Sequence, residues 1–148
     1  MQLEWYFISD LHQTANKEFD RSKPAEVKYE NLTVDVECTA EKDDNRKWQV
    51  MLRVKHQGTA DCNSPYSFSL EMIGFTRVLK TYPEEMVEKL VRTNGPSMLF
   101  GVAREVLRDL TARGPHVAVL LPSVSFYEST SGGAPAAPAP AVAGAPAQ

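Results

Sequence analysis

Asp10 and His12 are the residues whose types and spacing come nearest to a reaction centre. They close the run Tyr6-Phe7-Ile8-Ser9-Asp10-Leu11-His12. A strand that delivers Asp-x-His offers an oxygen and a nitrogen ligand to one ion, the start of a hydrolytic two-metal centre. The other nucleophilic candidates are Cys38 and Cys62. A cysteine nucleophile needs an activating base and an electropositive pocket. Cys38 falls on the apolar side of an alternating stretch and reads as a small core residue. Cys62 stands beside Asp61, whose charge disfavours a thiolate.

The Asp-x-His run looks like the opening of metallophosphoesterases. That family also needs Gly-Asp-x-x-Asp, Gly-Asn-His-Asp/Glu and Gly-His-x-His runs, and none is present; His56 and His116 lie in no such motif. A metallophosphoesterase-like hydrolase using Asp10 and His12 therefore rests on this heptad alone. No metal site, catalytic residue or cofactor is expected. No Cys/His spacing suits zinc, and no Gly-rich loop follows a strand and opens a helix.

Composition narrows the classes further. The 148 residues carry a net charge of -3 with no Lys/Arg cluster, which disfavours a nucleic-acid surface. No apolar run has the length of a membrane span, and the N-terminus lacks the pattern of a secretory signal. Two cysteines make no disulfide framework, so free thiols in a reducing cytosol are expected.

The elements that must position these residues are legible as periodicities. Leu3 to Leu11 is an apolar-rich strand with Trp5 and Phe7 on one face and Glu4, Tyr6 and Ile8 on the other, both faces partly covered. His12 to Glu26 is a loop. Val27 to Thr39, Lys47 to His56 and Tyr66 to Ile73 alternate with period two: Leu32, Val34, Val36 and Cys38; Trp48, Val50, Leu52 and Val54; Tyr66, Phe68, Leu70 and Met72. Short polar turns between them predict an antiparallel meander with one wet face.

Thr81 to Thr93 predicts a short helix with Pro83 in its first turn. Asn94 to Gly114 predicts a long one, capped by Asn94 or Ser97, with Pro96 in the first turn and Gly114 left-handed at its end. Its apolar stripe, Met98, Leu99, Phe100, Val102, Ala103, Val106, Leu107 and Leu110, is wide for a helix covered on one side. His116 to Tyr127 is apolar, but Pro122 keeps it out of a central strand position. Ser129 to Gln148 is Ala, Pro and Gly without charge and reads as a disordered tail after a single domain of residues 1–128. The many large rings, Trp5 and Phe75 among them, exceed what one sheet and one helix layer bury, so an exposed groove or an oligomer interface is expected.

The order of short motifs adds a family. Met98-Leu99-Phe100-Gly101-Val102-Ala103-Arg104-Glu105, then Arg113-Gly114, then Leu121-Pro122-Ser123-Val124-Ser125-Phe126, resembles the long helix and following segment of the SecB protein-export chaperones. The resemblance implies an α+β fold, a four-stranded antiparallel sheet followed by a short and a long helix, assembled as a homotetramer, a dimer of dimers. Leu99, Phe100, Val102, Val106 and Leu110 would line the helix interface. It implies an ATP-independent bacterial cytoplasmic chaperone that holds unfolded preproteins in an apolar groove and passes them to the SecA motor. Phe68, Phe75, Phe126 and Tyr127 are the candidates for the groove. Glu71, an acidic residue after an aromatic, matches the family's SecA contact; Ser69 and the Ala/Pro tail depart from its pattern. A SecB-like domain serving one client, such as an antitoxin or a phage protein, is the alternative.

Overall fold

Alternating apolar residues build four strands: β1 (Gln2–Ala15), β2 (Leu32–Glu41), β3 (Asp44–His56) and β4 (Tyr66–Arg77). The structure, a computed structural model, describes residues 1–127; the expected tail, 129–148, lies outside the described residues. The strands form one antiparallel sheet in the order β1-β4-β3-β2. β2, β3 and β4 are the expected meander. β1 departs from it: the 16–31 connection crosses the sheet, so β1 lies beside β4 in Greek-key order.

One face of the sheet is the core. Val50, Leu52 and Val54 of β3 and Tyr66, Phe68, Leu70 and Met72 of β4 alternate inward, each at most 3% exposed. A single helix, α1 (Val87–Ala112), covers this face, packing on β3 and β4 and touching β2. The expected fold class stands, with the two helices joined as one rod. A single 3-10 turn, Glu84–Met86, leads into it. The expected break at Asn94 to Ser97 is absent. Pro96 lies inside the helix, and Ser97 Oγ donates to Thr93 O at 2.8 Å instead of capping a new start.

Packing explains the continuity. Val87, Val91, Gly95, Leu99, Ala103, Leu107 and Thr111 are all buried, a ridge at every fourth residue that runs through the supposed break. Gly95 is needed there, since a Cβ would lie 2.9 Å from Val50 Cγ2; Gly74 answers it on β4, where a Cβ would meet Leu99 Cδ2 at 2.7 Å. The helix thus seats on the sheet at two close approaches and runs on through an interior proline, which by itself costs about 3 kcal/mol.

At its C-terminus the helix ends without a left-handed glycine, because no glycine has a positive φ among the described residues. Arg113 N–H reaches Leu110 O and Gly114 N–H reaches Thr111 O in tightened 3-10 geometry. Gly114 serves close approach: a Cβ would collide with the ring of the fully buried Tyr66. The Tyr66 hydroxyl accepts the His116 N–H at 2.9 Å and lies 3.1 Å from Thr111 O and 3.2 Å from His116 O. This pins the helix end and the next segment to β4.

Residues 116–127 then run back along the helix without regular structure. Val119 N–H bonds Thr111 Oγ1 at 2.9 Å, and Phe126 meets Phe100 edge-on with centroids 5.8 Å apart. Val119 and Leu121 are 2% and 1% exposed, so this strap completes the core.

Candidate functional site

β1 carries a run of uncovered apolar side chains, Trp5, Tyr6, Phe7, Ile8 and Leu11. Two bulges organise it. Register slips between Leu3 and Trp5 and between Ile8 and Asp10 leave Glu4 and Ser9 as extra residues. Each slip resets the alternation, so Leu3, Tyr6, Ile8 and Leu11 all pair with core-facing positions of β4: Thr76, Gly74, Met72 and Leu70. The helix covers β3 and β4, which leaves Tyr6, Ile8 and Leu11 exposed by 44%, 39% and 37%. Plain alternation missed this trio as a unit; its signal was an apolar run with no polar face. Full burial of such a side chain is worth about 1.5–3 kcal/mol. An edge strand that leaves them in water, beside unpaired backbone groups, is a template for another chain.

The opposite face of β1 is aromatic. Trp5 stacks on Phe75 with centroids 4.3 Å apart and planes at 10°, and Phe7 lies 5.6 Å from Trp5. Phe75 therefore belongs to the outer face of the sheet.

The expected groove residues do not converge. Phe68 is 3% exposed and stacked 5.4 Å from the His56 ring, so it is a core residue. Phe75 is on the far side of the sheet from Phe126. Phe126 is half-buried on Phe100, and Tyr127 is 65% exposed at the end of the strap. Phe68 and Phe126 lie on the helix side of the sheet, as Tyr6, Ile8 and Leu11 do, but Phe68 is closed inside the core. Among the expected interface residues, Leu99 and Phe100 are 0% and 4% exposed, taken up by the chain's own core. Val102, Val106 and Leu110 are half-buried.

Glu71 lies on the outer face in a closed network. Ser9 Oγ donates to Glu71 Oε1 at 2.6 Å, Arg53 Nε to Glu71 Oε2 at 2.6 Å, and Arg53 Nη1 to Glu37 Oε1 at 3.1 Å. The Ser9 hydroxyl and then the Arg53 guanidinium hold the Glu71 carboxyl below its ordinary 4.5. Arg53 thus bridges two carboxylates on neighbouring strands, Glu37 and Glu71.

Asp10 and His12 project from the outer face, opposite Glu71 and Ser69. Both are exposed, and no group of three or more His, Cys, Asp or Glu able to hold a metal occurs among the described residues. Cys38 and Cys62 are free thiols, the first half-buried and pushed up in pKa by burial, the second buried. No helix among the described residues is long and apolar enough to cross a membrane.

The sheet is open, with apolar residues exposed on both sides of one edge strand, the kind of surface on which other chains are bound. The family described as preprotein translocase subunit SecB matches residues 4–129, and the chain belongs to that family. The family is one of chaperones, not of enzymes. The protein-export protein SecB of Psychrobacter arcticus is 30% identical over 98 residues, 66% of each chain; that of Xanthobacter autotrophicus is 23% identical over 111 residues, 75% of this chain and 70% of the relative. The match thus spans just under two thirds of the length of the first of these. The SecB-like chaperone of Mycobacterium tuberculosis, solved in complex with a peptide from an antitoxin, shares the fold with a TM-score of 0.53 and 19% identity, over 84% of this chain and 90% of that one.

Proposed function

We propose that this chain is an ATP-independent cytoplasmic chaperone of a bacterium, which holds unfolded preproteins and keeps them competent for export. The observation that carries the reading is the helix-side surface of Tyr6, Ile8 and Leu11 on an unpaired strand edge, in a chain of the SecB family. An extended client buries apolar side chains against such a surface and adds backbone hydrogen bonds along the edge. Apolar contact is non-directional, so many sequences fit. Phe126 and Tyr127 extend the client surface along the strap. In the assembled protein, a homodimer or a tetramer built as a dimer of dimers, Val102, Val106 and Leu110 meet a second copy and part of β1 is covered by a neighbour. Glu71 is the candidate contact for SecA.

A second reading, a SecB-like domain with one dedicated client, draws support from the Glu71 network. Ser9 and Arg53 occupy the carboxylate that a SecA contact would use.

The test is aggregation of a reduced, unfolded protein diluted into buffer without nucleotide. Light scattering should fall as this chain is added in stoichiometric amount, and the Asp10→Ala, His12→Ala double variant should do as well as the parent. Unchanged scattering refutes the holding role; phosphodiester hydrolysis lost in the double variant refutes the choice of a chaperone over an enzyme.

A further inference from the structure

The two bulges of β1 set off one stretch of the strand. Their extra residues are both tied to β4: Arg77 Nε donates to Glu4 Oε1 at 2.6 Å, and Ser9 Oγ donates to Glu71 Oε1 at 2.6 Å. Between them lie Trp5, Tyr6, Phe7 and Ile8, exposed by 54%, 44%, 39% and 39%. Tyr6 and Ile8 pair with Gly74 and Met72 and belong to the helix side. Trp5 and Phe7 pair with Phe75 and Ile73 and belong to the outer face, where Trp5 stacks on Phe75. The 5–8 run is therefore apolar on both faces. Past Ser9 the outer face turns polar, with Asp10, His12 and Thr14, while Leu11 continues the helix side. The other edge, β2, is one-sided: half-buried Leu32, Val34 and Val36 alternate with exposed Thr33, Asp35 and Glu37.

The backbone phase says how a strand would join this run. Val78 N–H donates to Arg46 O at 2.8 Å. Carried along the register, the antiparallel alternation turns Gly74 and Met72 toward β3. Their partners Tyr6 and Ile8 therefore turn their own N–H and C=O groups to the open edge. In a strand hydrogen-bonded there, the side chains opposite Tyr6 and Ile8 lie on the helix side. The side chains between them lie on the outer face beside Trp5 and Phe7, with Cβ atoms about 4.5–5.5 Å apart. A segment that is apolar on one face leaves the other face of the run in water. A segment that is apolar on both covers all of it. The ions at the two bulges are engaged with their β4 partners, so a charged side chain on the run would lose water without gaining a counter-ion.

We propose that the 5–8 run selects client segments that are apolar on both faces, short continuous apolar runs, over segments that alternate apolar and polar residues. Trp5 and Phe7 are then specificity-determining residues, acting on the face opposite the helix. The inference rests on the chaperone reading and names the class of segment that the β1 edge prefers. Tyr6 and Ile8 hold the client's backbone, and the two faces of one strand hold its two sets of side chains.

The experiment titrates the full chain into two labelled peptides of identical valine and serine composition. One carries its valines as a continuous block between serines; the other alternates valine with serine. Fluorescence anisotropy should show the block peptide binding about tenfold more tightly, the equivalent of one further buried apolar side chain. The unlabelled block peptide should protect the Trp5 indole from acrylamide and the alternating peptide should not, while Trp48, 8% exposed, supplies a constant shielded component. In the variant Trp5→Ser, Phe7→Ser the block peptide should lose its advantage, and the alternating peptide, held from the helix side, should bind as before. Equal affinities for the parent overturn the proposal. So does block-peptide binding that leaves Trp5 open to the quencher, or a variant that keeps the tenfold preference. Suppression of aggregation reports on the chaperone reading separately, because it needs holding and not this preference.

Discussion

Phe68 and Tyr127 were equivalent as letters, two aromatic rings at candidate groove positions, and the fold separates them by burial. Phe68→Ala removes a ring from the closed core and should cost about 3–5 kcal/mol. Tyr127→Ala removes one that is 65% exposed and should leave the urea midpoint nearly unchanged, while weakening binding of an unfolded client. Paired denaturation and binding curves check this; equal losses of stability would contradict it. His56 gives the second prediction at this scale. It is 1% exposed, with Nδ1 3.5 Å from Ser64 Oγ and Nε2 without a partner, and burial pushes its pKa below the ordinary 6.5. Above 6.5 the ring is neutral in both states and its contribution is complete. As pH falls below 6.5 the unfolded chain takes up a proton that the folded chain refuses, so stability declines toward the folded pKa. Urea midpoints from pH 8 to pH 5 should fall, and His56→Gln should flatten that slope. Glu71 acts lower: its depressed carboxyl contributes above its ordinary 4.5, a contribution lost as pH drops through the lower folded value.

The strands β2, β3 and β4 were legible because one face is dry and one wet, and Val50, Leu52 and Val54 against Gln49, Arg53 and Lys55 say so residue by residue. The bulges at Glu4 and Ser9 were not, because a bulge is set by the partner strand and leaves no signature in an apolar run. The place of β1 beside β4 was equally hidden, since nothing local in 16–31 says where a long connection lands. The helix break was misread for a related reason. Asn94 and Pro96 read locally as the start of a second helix, and what overrides them is the contact of Gly95 with Val50, which belongs to the tertiary structure. Two substitutions test that account at the scale of the element. Gly101 is exposed and a Cβ there meets nothing within 4 Å, so Gly101→Ala should stabilise the chain by up to about 1 kcal/mol. Gly95→Ala gains the same propensity but overpacks against Val50, and should lose about 1–3 kcal/mol before that gain is counted. Thermal denaturation of both variants should move in opposite directions; a rise in both would show that the helix does not depend on that close approach. Tyr66→Phe tests the other end. It strips the hydroxyl that accepts the His116 N–H and approaches two carbonyls, and should cost about 1–3 kcal/mol by leaving buried groups unpaired.

For the whole molecule, a half-covered sheet implies partners. One helix covers β3 and β4, a strap closes one side, and β1 keeps Tyr6, Ile8 and Leu11 in water on an open edge. Trp5 and Phe7 stand on the reverse of the same strand. The candidate site was legible as an excess of large rings, but its position was not, because exposure depends on where the helix lies across the sheet. The account requires that the helix-side surface holds unfolded chains and that the protein assembles with copies of itself. Sedimentation velocity of a fluorescently labelled, permanently reduced unfolded polypeptide, mixed with this chain at micromolar concentration without nucleotide, reads both. The account predicts that the unlabelled protein sediments as a dimer or tetramer, that the labelled unfolded chain moves with it, and that the native form of the same polypeptide does not. A labelled unfolded chain that sediments alone beside a monomer would contradict it.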